Sequence, residues 1–424
     1  MSKLGLPYIS MFALLAACAG TPQPGTPSPD AAEGTFTRSV YPFEVLDGNG
    51  TPYEHPFLGG FVVPRSQFVD IDADGMLDLF VHERSNELMF FENVGTAAEP
   101  RFVWRTDEWQ DLPIGEWSRF VDVDGDGRID LLAEEPYSYI HVYRNEGTPQ
   151  APRMVSVPDS LRDAEGLPIF ADRQNIPAFD DLDCNGLLDL FIGHVDGTVG
   201  RFEATGETGP NELPTFRLVT ERFEDIEIIG QITPSARHGA NSMFLADIEG
   251  DGSQDLFWGD YFEPGLLRIE NRGSTCERPS LRSDPAPVRD QDGPIATSGF
   301  NAPFLTDIDD DGAADLFLGV LGGAFNPILT AADNFHYYRN EGEGRFRLKT
   351  TRFLNGIDVG SESVPEVADI DGNGTLDLLI GNKIDPATAK AARLYWFENT
   401  GTPRAPRFQL RDTLDLVDAY HYAP

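Results

Sequence analysis

The apolar positions of this chain come in short runs, and one kind of run recurs six times. The copies are Leu79-Phe-Val81, Leu131-Leu132, Leu190-Phe-Ile-Gly193, Leu256-Phe-Trp-Gly259, Leu316-Phe-Leu-Gly319 and Leu378-Leu-Ile-Gly381. Each is too short for a helix face and reads as a strand. Further along each interval comes an aromatic-rich run that ends in a turn: Phe90 to Gly95, Tyr143 to Gly147, Phe202 to Gly206, Ile269 to Gly273, Tyr338 to Gly342 and Phe397 to Gly401. Asn and Gly tolerate positive φ, so these endings predict tight turns. A Pro-x-Phe strand follows most of them, as at Pro100-Arg-Phe102, Pro214-Thr-Phe216 and Pro406-Arg-Phe408. One unit is therefore four short strands and no helix.

Units of roughly sixty residues with alternating apolar and polar positions cannot bury their faces singly and must stack on neighbours. Radial stacking leaves only short, protected edges. The pattern predicts an all-β propeller of four-stranded blades, a single domain over residues 37–424, with six blades and a seventh left open. Tyr41 to Leu46 has the pattern of one more Pro-x-Phe strand and is expected beside the C-terminal Phe408-Gln-Leu410.

Each repeated run is preceded by an acidic loop. The six loops are Asp70, Asp72, Asp74 and Asp78; Asp122, Asp124, Asp126 and Asp130; Asp181, Asp183, Asn185 and Asp189; Asp247, Glu249, Asp251 and Asp255; Asp307, Asp309, Asp311 and Asp315; and Asp369, Asp371, Asn373 and Asp377. In each, oxygen-bearing side chains stand at positions 1, 3, 5 and 9 with a glycine at 6. Hard oxygen ligands on a sharply turning backbone are what calcium requires. Unlike an EF-hand, the loop closes on an aspartate at position 9 and runs straight into a strand. One such loop on its own is equally an ordinary acidic turn; six in the same place predict about six structural calcium ions. Without them, each pair of carboxylates about 4 Å apart costs roughly 4 kcal/mol at an effective dielectric near 20. Asn185 and Asn373 keep an oxygen but lose a charge, which weakens the expected hold in those two loops.

Asp-x-Asp-x-Asp-Gly-x-x-Asp-Leu-Phe-x-Gly at this period resembles the FG-GAP and VCBS repeat proteins, over residues 60 to 410. The resemblance implies a propeller with calcium in its loops, of the kind found in the integrin alpha head and in several secreted lectins. No repeat here carries a clear Phe-Gly paired with Gly-Ala-Pro, and the resemblance does not specify an activity.

Residues 1–17 read as a secretory signal: Lys3, then an apolar core that is too short to span a bilayer. Leu15-Ala-Ala-Cys18 resembles a bacterial lipobox, which implies cleavage before Cys18 and a lipid on that thiol. Residues 18–36 are rich in proline and small polar residues and form the expected disordered tether. These features predict an envelope protein, at the outer membrane or cell surface, that meets the membrane only through its lipid. Cys184 and Cys276 remain, either as one disulfide or as two separate thiols.

The balance of 32 basic against 70 acidic residues gives a net charge of −38, which disfavours nucleic acid and anionic membranes as partners. The seven histidines are scattered, so no imidazole cluster suits zinc. Nucleophile-elbow, phosphate-loop and dinucleotide-fingerprint motifs are absent from the sequence. The expected role is therefore non-enzymatic: recognition or adhesion toward a protein or glycan. The alternative is a structural or assembly component of the envelope, and glycoside hydrolysis is a weaker third reading because two acids leave no local motif. Recognition is expected in the variable connections between second and third strands, where Tyr137, Tyr139, Tyr261, Phe262 and Phe325 supply aromatic surface.

Overall fold

The computed structural model describes residues 37–135, 138–171, 175–228, 241–260, 264–321, 332–360, 362–383, 385 and 392–415. The signal and tether expectations, Cys18, and Tyr137, Tyr261, Phe262 and Phe325 lie outside the described residues. The described residues from Val40 onward form one compact unit.

Among the described residues, six sheets that each contain four successive antiparallel strands account for the six repeats. Sheet one is Arg65–Val69, Asp78–Arg84, Glu87–Asn93 and Phe102–Thr106; sheet two is Ser118–Val121, Asp130–Glu135, Tyr139–Asn145 and Met154–Ser160. Sheet three is Ala178–Asp180, Asp189–Gly193, Val199–Thr208 and Pro214–Thr220; sheet four is Asn241–Ala246, Asp255–Asp260, Leu267–Ile269 and Ala286–Pro287. Sheet five is Ala302–Thr306, Asp315–Gly319, Phe335–Asn340 and Phe346–Thr350; sheet six is Val364–Ala368, Asp377–Gly381, Arg393–Asn399 and Arg407–Asp415. Glu44–Leu46 joins sheet six in parallel, with Val45 opposite Phe408, so the N-terminal strand lies beside the C-terminal one as its sequence predicted. A short strand, Arg162–Asp163, also joins sheet three in parallel, and Arg289–Asp290 pairs separately with Gly293–Pro294.

The Leu-Phe pair at the head of each second strand explains how sheets stack. Successive side chains point to opposite faces. Leu79 accordingly packs toward sheet five and Phe80 toward sheet two, while Leu190 packs toward sheet two and Phe191 toward sheet four. Apolar clusters of this kind join sheets one and two, two and three, three and four, four and five, and five and one. The last contact closes a cycle, with the Phe68 and Phe317 ring centroids 4.2 Å apart.

Polar side chains of the first strands knit the centre. Gln67 Nε2 donates to Ser118 O at 3.2 Å and Gln67 Oε1 accepts from Phe120 N at 3.0 Å. Buried Arg119 reaches across from sheet two to Pro177 O at 3.1 Å and Met243 O at 3.3 Å.

Sheet six is packed differently. The residue after the first loop aspartate is buried in the other five repeats (Ile71, Val123, Leu182, Ile248, Ile308), but Ile370 is 50% exposed, as are Val364 at 66% and Val367 at 51%. Its first strand reads Val-Pro-Glu-Val-Ala, and exposed Val367 stands where sheets one, four and five bury Phe68, Leu245 and Leu305. Its core forms instead with Val45, Tyr53, Phe57, Ile357 and Val359. Six four-stranded repeats are thus present, but five of them share the cyclic packing.

Candidate functional site

Because successive strands are antiparallel, the loops between first and second strands share one end of the sheets with the Asn-Gly turns. Connections between second and third strands, and from sheet to sheet, lie at the other end.

At the first end, the position-1 aspartate shapes each acidic loop. Its Oδ2 accepts the glycine N–H five residues on: Gly75 at 3.1 Å, Gly127 at 2.9 Å, Gly186, Gly252 and Gly312 at 2.8 Å, and Gly374 at 3.1 Å. All six glycines have positive φ, between +83° and +88°. The side chain at position 5 accepts the N–H two residues on, as Met76 N to Asp74 at 2.8 Å and Leu187 N to Asn185 at 2.7 Å. These side chains therefore make the turn as well as crowding oxygens into it.

The position-9 acid is buried at the head of the second strand. Its Oδ1 accepts the N–H of the turn asparagine: Asn93 to Asp78 at 2.8 Å, Asn145 to Asp130, Asn271 to Asp255 and Asn340 to Asp315 at 2.7 Å, and Asn399 to Asp377 at 2.8 Å. The same asparagine Oδ1 accepts the N–H of the following glycine, at 3.0 Å from Gly95. The turn asparagine thus ties the acidic loop to the third strand, a link that its sequence role as a turn former did not reveal. Sheet three has Ala204 at this place, and there Arg201 Nε bonds Asp189 Oδ1 at 2.8 Å.

Burial is the main cause that pushes Asp78 and Asp255 up to about 7 and Asp130, Asp189 and Asp315 up to about 6, with neighbouring loop acids adding to the rise. Among the described residues, ligand atoms of three acids come within 4.8 Å of one another in four loops: Asp70, Asp72 and Asp74; Asp122, Asp124 and Asp130; Asp181, Asp183 and Asp189; and Asp307, Asp309 and Asp311. Among the described loop acids, Asp72 Oδ1, Asp78 Oδ2, Asp183 Oδ1, Asp255 Oδ2 and Asp309 Oδ1 are buried without a hydrogen-bond partner, although Asp255 Oδ2 lies in an ion pair with Arg268. In loops one, two and five such a donor set fits a hard divalent cation, whereas in loop three Arg201 already sits among the acids. Asp126 sits apart from its group and pairs with Arg128, and in loop four Glu249 pairs with Arg268.

The FG-GAP-like repeat family matches residues 70–133 and 307–380. The chain carries FG-GAP-like repeats. The two matched regions take in the first, second, fifth and sixth acidic loops. The chain is 24% identical over 348 residues to cartilage acidic protein 1 of Homo sapiens, which covers 74% of this chain and 46% of that protein. The Xenopus tropicalis counterpart is 25% identical over 339 residues, covering 74% and 47%. The chain thus spans about half the length of these curated relatives. Among solved structures, an Agrocybe aegerita lectin that recognises non-reducing terminal N-acetylglucosamine aligns with TM-score 0.32 and 18% identity, over 86% of this chain and 82% of the lectin. AofleA from Arthrobotrys oligospora aligns with TM-score 0.34 and 12% identity, over 65% and 68%.

Two further features of the structure bear on chemistry. A disulfide joins Cys184, inside the third loop, to Cys276 after the third strand of sheet four, so the pairing left open by the sequence is made. At the opposite end of the sheets, a cleft of about 740 Å³ opens between sheets one and two. Asn86, Gly115, Glu134, Glu135, His141 and Tyr143 are among its lining residues. His141 Nε2 lies 3.0 Å from Ser156 Oγ, and its ring meets Tyr143 edge-on at 4.6 Å. Tyr139, expected to offer exposed aromatic surface, is half-buried and packs edge-on against Phe170 at 6.2 Å. The sequence did not single out this cleft, since it forms only where two sheets meet.

Proposed function

We propose that this chain is a calcium-stabilised recognition module that binds a protein or glycan through the end of the sheets opposite its acidic loops. The observation that carries this reading is the cleft between sheets one and two, set on rigid strands and lined by carboxylates, an imidazole and a phenol. Glu135, with Ser160 Oγ donating to it at 2.6 Å, and His141 can hydrogen-bond sugar hydroxyls or polar peptide groups there. Calcium in this reading is structural: ions in the acidic loops would fix the other end of each sheet, with affinity in the extracellular range of about 10⁻⁴ to 10⁻³ M. Surface display through a lipid on Cys18 and a tether over residues 18–36 belongs to the same proposal, as does the absence of catalysis.

A glycan array and a pull-down from envelope extract, each run with the wild type and His141→Ala, test it. Binding of a defined sugar or protein that weakens about tenfold or more in His141→Ala supports the proposal. A ligand bound equally well by both proteins would move recognition away from the cleft. A stable stoichiometric neighbour that ignores the cleft variant, with no sugar bound, would favour the assembly role.

A further inference from the structure

In every sheet the third strand sets one residue opposite the residue two beyond the position-9 acid: Phe90, Val142, Arg201, Arg268, Tyr337 and Trp396. Side chains alternate with period two, so this residue lies on the same face as that acid and diagonal to it. What fills the position decides what the acid meets. Tyr337 Oη donates to Asp315 Oδ2 at 2.9 Å and Trp396 Nε1 to Asp377 Oδ2 at 3.1 Å. Phe90 offers nothing, and Asp78 Oδ2 is left buried without a hydrogen-bond partner.

Sheets three and four present a guanidinium. Arg201 grips Asp189 with both arms, Nε to Oδ1 at 2.8 Å and Nη2 to Oδ2 at 3.0 Å, and also reaches Asp183 Oδ2 at 2.7 Å. The Arg201 side chain is 10% exposed and that of Asp189 0%. Arg268 Nη2 lies 2.6 Å from Asp255 Oδ2 and also pairs with Glu249. We propose that Arg201 and Arg268 are built-in cations that take the place of a metal ion in the third and fourth loops, so that these two repeats close without metal.

In loop three the bidentate Arg201 satisfies both oxygens of the carboxylate that would otherwise turn to an ion, and in loop four Arg268 offers Asp255 Oδ2 a compensating charge. Admitting a divalent cation would break those bonds and leave a buried guanidinium beside a second positive charge. Loop three has other ties that need no ion: the Cys184–Cys276 disulfide, and Asn185 Nδ2 donating to Glu203 Oε1 at 3.0 Å. Arg144 and Arg339 also approach loops two and five, but from two residues further along the strand. They pair with acids at positions 3 and 5, Asp124 at 3.0 Å and Asp309 and Asp311 at 3.0 and 2.9 Å, and leave Asp130 and Asp315 alone.

This inference rests on the reading of the remaining loops as calcium sites, and the test separates the two. Calcium bound per chain is counted by elemental analysis after equilibrium dialysis, with cooperative melting as the check of folding. The variants are Arg201→Gln, Arg268→Gln, Arg201→Lys and Phe90→Arg. Each arginine-to-glutamine change is expected to add one ion and a calcium-dependent rise in Tm; Arg201→Lys should keep the wild-type count, and Phe90→Arg should lose one ion. Should a glutamine variant fail to fold, Phe90→Arg decides: an unchanged count overturns the inference. It is also overturned if folded glutamine variants bind as many ions as the wild type. When the wild type binds ions and the variants gain none, this inference alone fails. A metal-free wild type with variants that each gain one ion would sink only the calcium reading of the other loops, and no ions in any protein would sink both.

Discussion

Aspartate does two separate jobs in these repeats, and the pH at which each is felt differs. At position 1 it is exposed or half-buried and spends its oxygens on backbone N–H groups; at position 9 it is buried, and burial holds Asp78, Asp130, Asp189, Asp255 and Asp315 above the usual carboxylate range. A carboxyl whose folded pKa exceeds its unfolded one favours the fold at low pH, and that contribution is lost as pH rises through the folded value. For Asp78, Asp130, Asp189, Asp255 and Asp315 the loss falls between the ordinary value of 3.8 and about 6 to 7. Calcium would neutralise Asp78, Asp130 and Asp315 in place of protons, as Arg201 and Arg268 do for Asp189 and Asp255. The rise in Tm on adding calcium is therefore expected to be larger at pH 8 than at pH 5.5, as read by differential scanning calorimetry. An equal rise at both would contradict the assignment. Buried His55 and His82 and half-buried His336, held down at about 4, 3 and 4 by desolvation, titrate in the opposite sense but contribute alike with and without the ion. The position-6 glycine gives a second test. A Cβ on Gly127 would meet nothing within 4 Å, so its cost is conformational alone at φ +87°. Gly127→Ala should lose about 1–2 kcal/mol in urea unfolding, and Gly127→Asn distinctly less. The sequence predicts both aspartate positions as ligands; the turn-making bonds were hidden because they run to backbone, which has no sequence signature.

Among elements, the third repeat departs most from its neighbours. Its turn lacks the asparagine that elsewhere bonds the position-9 acid; Ala204 stands there, and Arg201 and the Cys184–Cys276 bridge hold the loop instead. The bridge spans 92 residues of chain. Replacing both cysteines by serine should lower stability by about 2–5 kcal/mol in chemical denaturation. The first amides to lose hydrogen-exchange protection should be those of loop three. Uniform loss across all sheets would instead place the effect in the unfolded state. Strand order, turn positions and the pairing of Glu44–Leu46 with the C-terminal strand were legible because they follow from periodicity and from Asn-Gly chemistry. Whether the cysteines pair was not legible, since they belong to different repeats and meet only when sheets three and four stack.

At the scale of the whole molecule, the sheets pack in a cycle of five, with sheet six held by the chain segments around residues 53–57 and 357–359. The sequence led to six alike, because the repeat count is plain and the packing between repeats is not. The first strand of sheet six gives no warning of this, since sheet one has Ser66-Gln67 and sheet five Pro303 at the places of Pro365 and Glu366. Phe68, between sheets one and five, and Val367, its counterpart in sheet six, are a matched pair for testing this. Phe68→Ala is expected to cost about 3–5 kcal/mol, and Val367→Ala to stay within about 0.5 kcal/mol. Comparable large losses at both would mean that sheet six is enclosed like the others.

The account stands or falls on whether the acidic loops hold metal, and the most direct measurement is calcium content with thermal melting of the purified protein before and after EDTA. It predicts bound calcium in the untreated protein, a Tm that drops on chelation, and recovery of that Tm when calcium is restored. A protein free of metal as purified, with a melting curve that EDTA and added calcium leave unchanged, would contradict it.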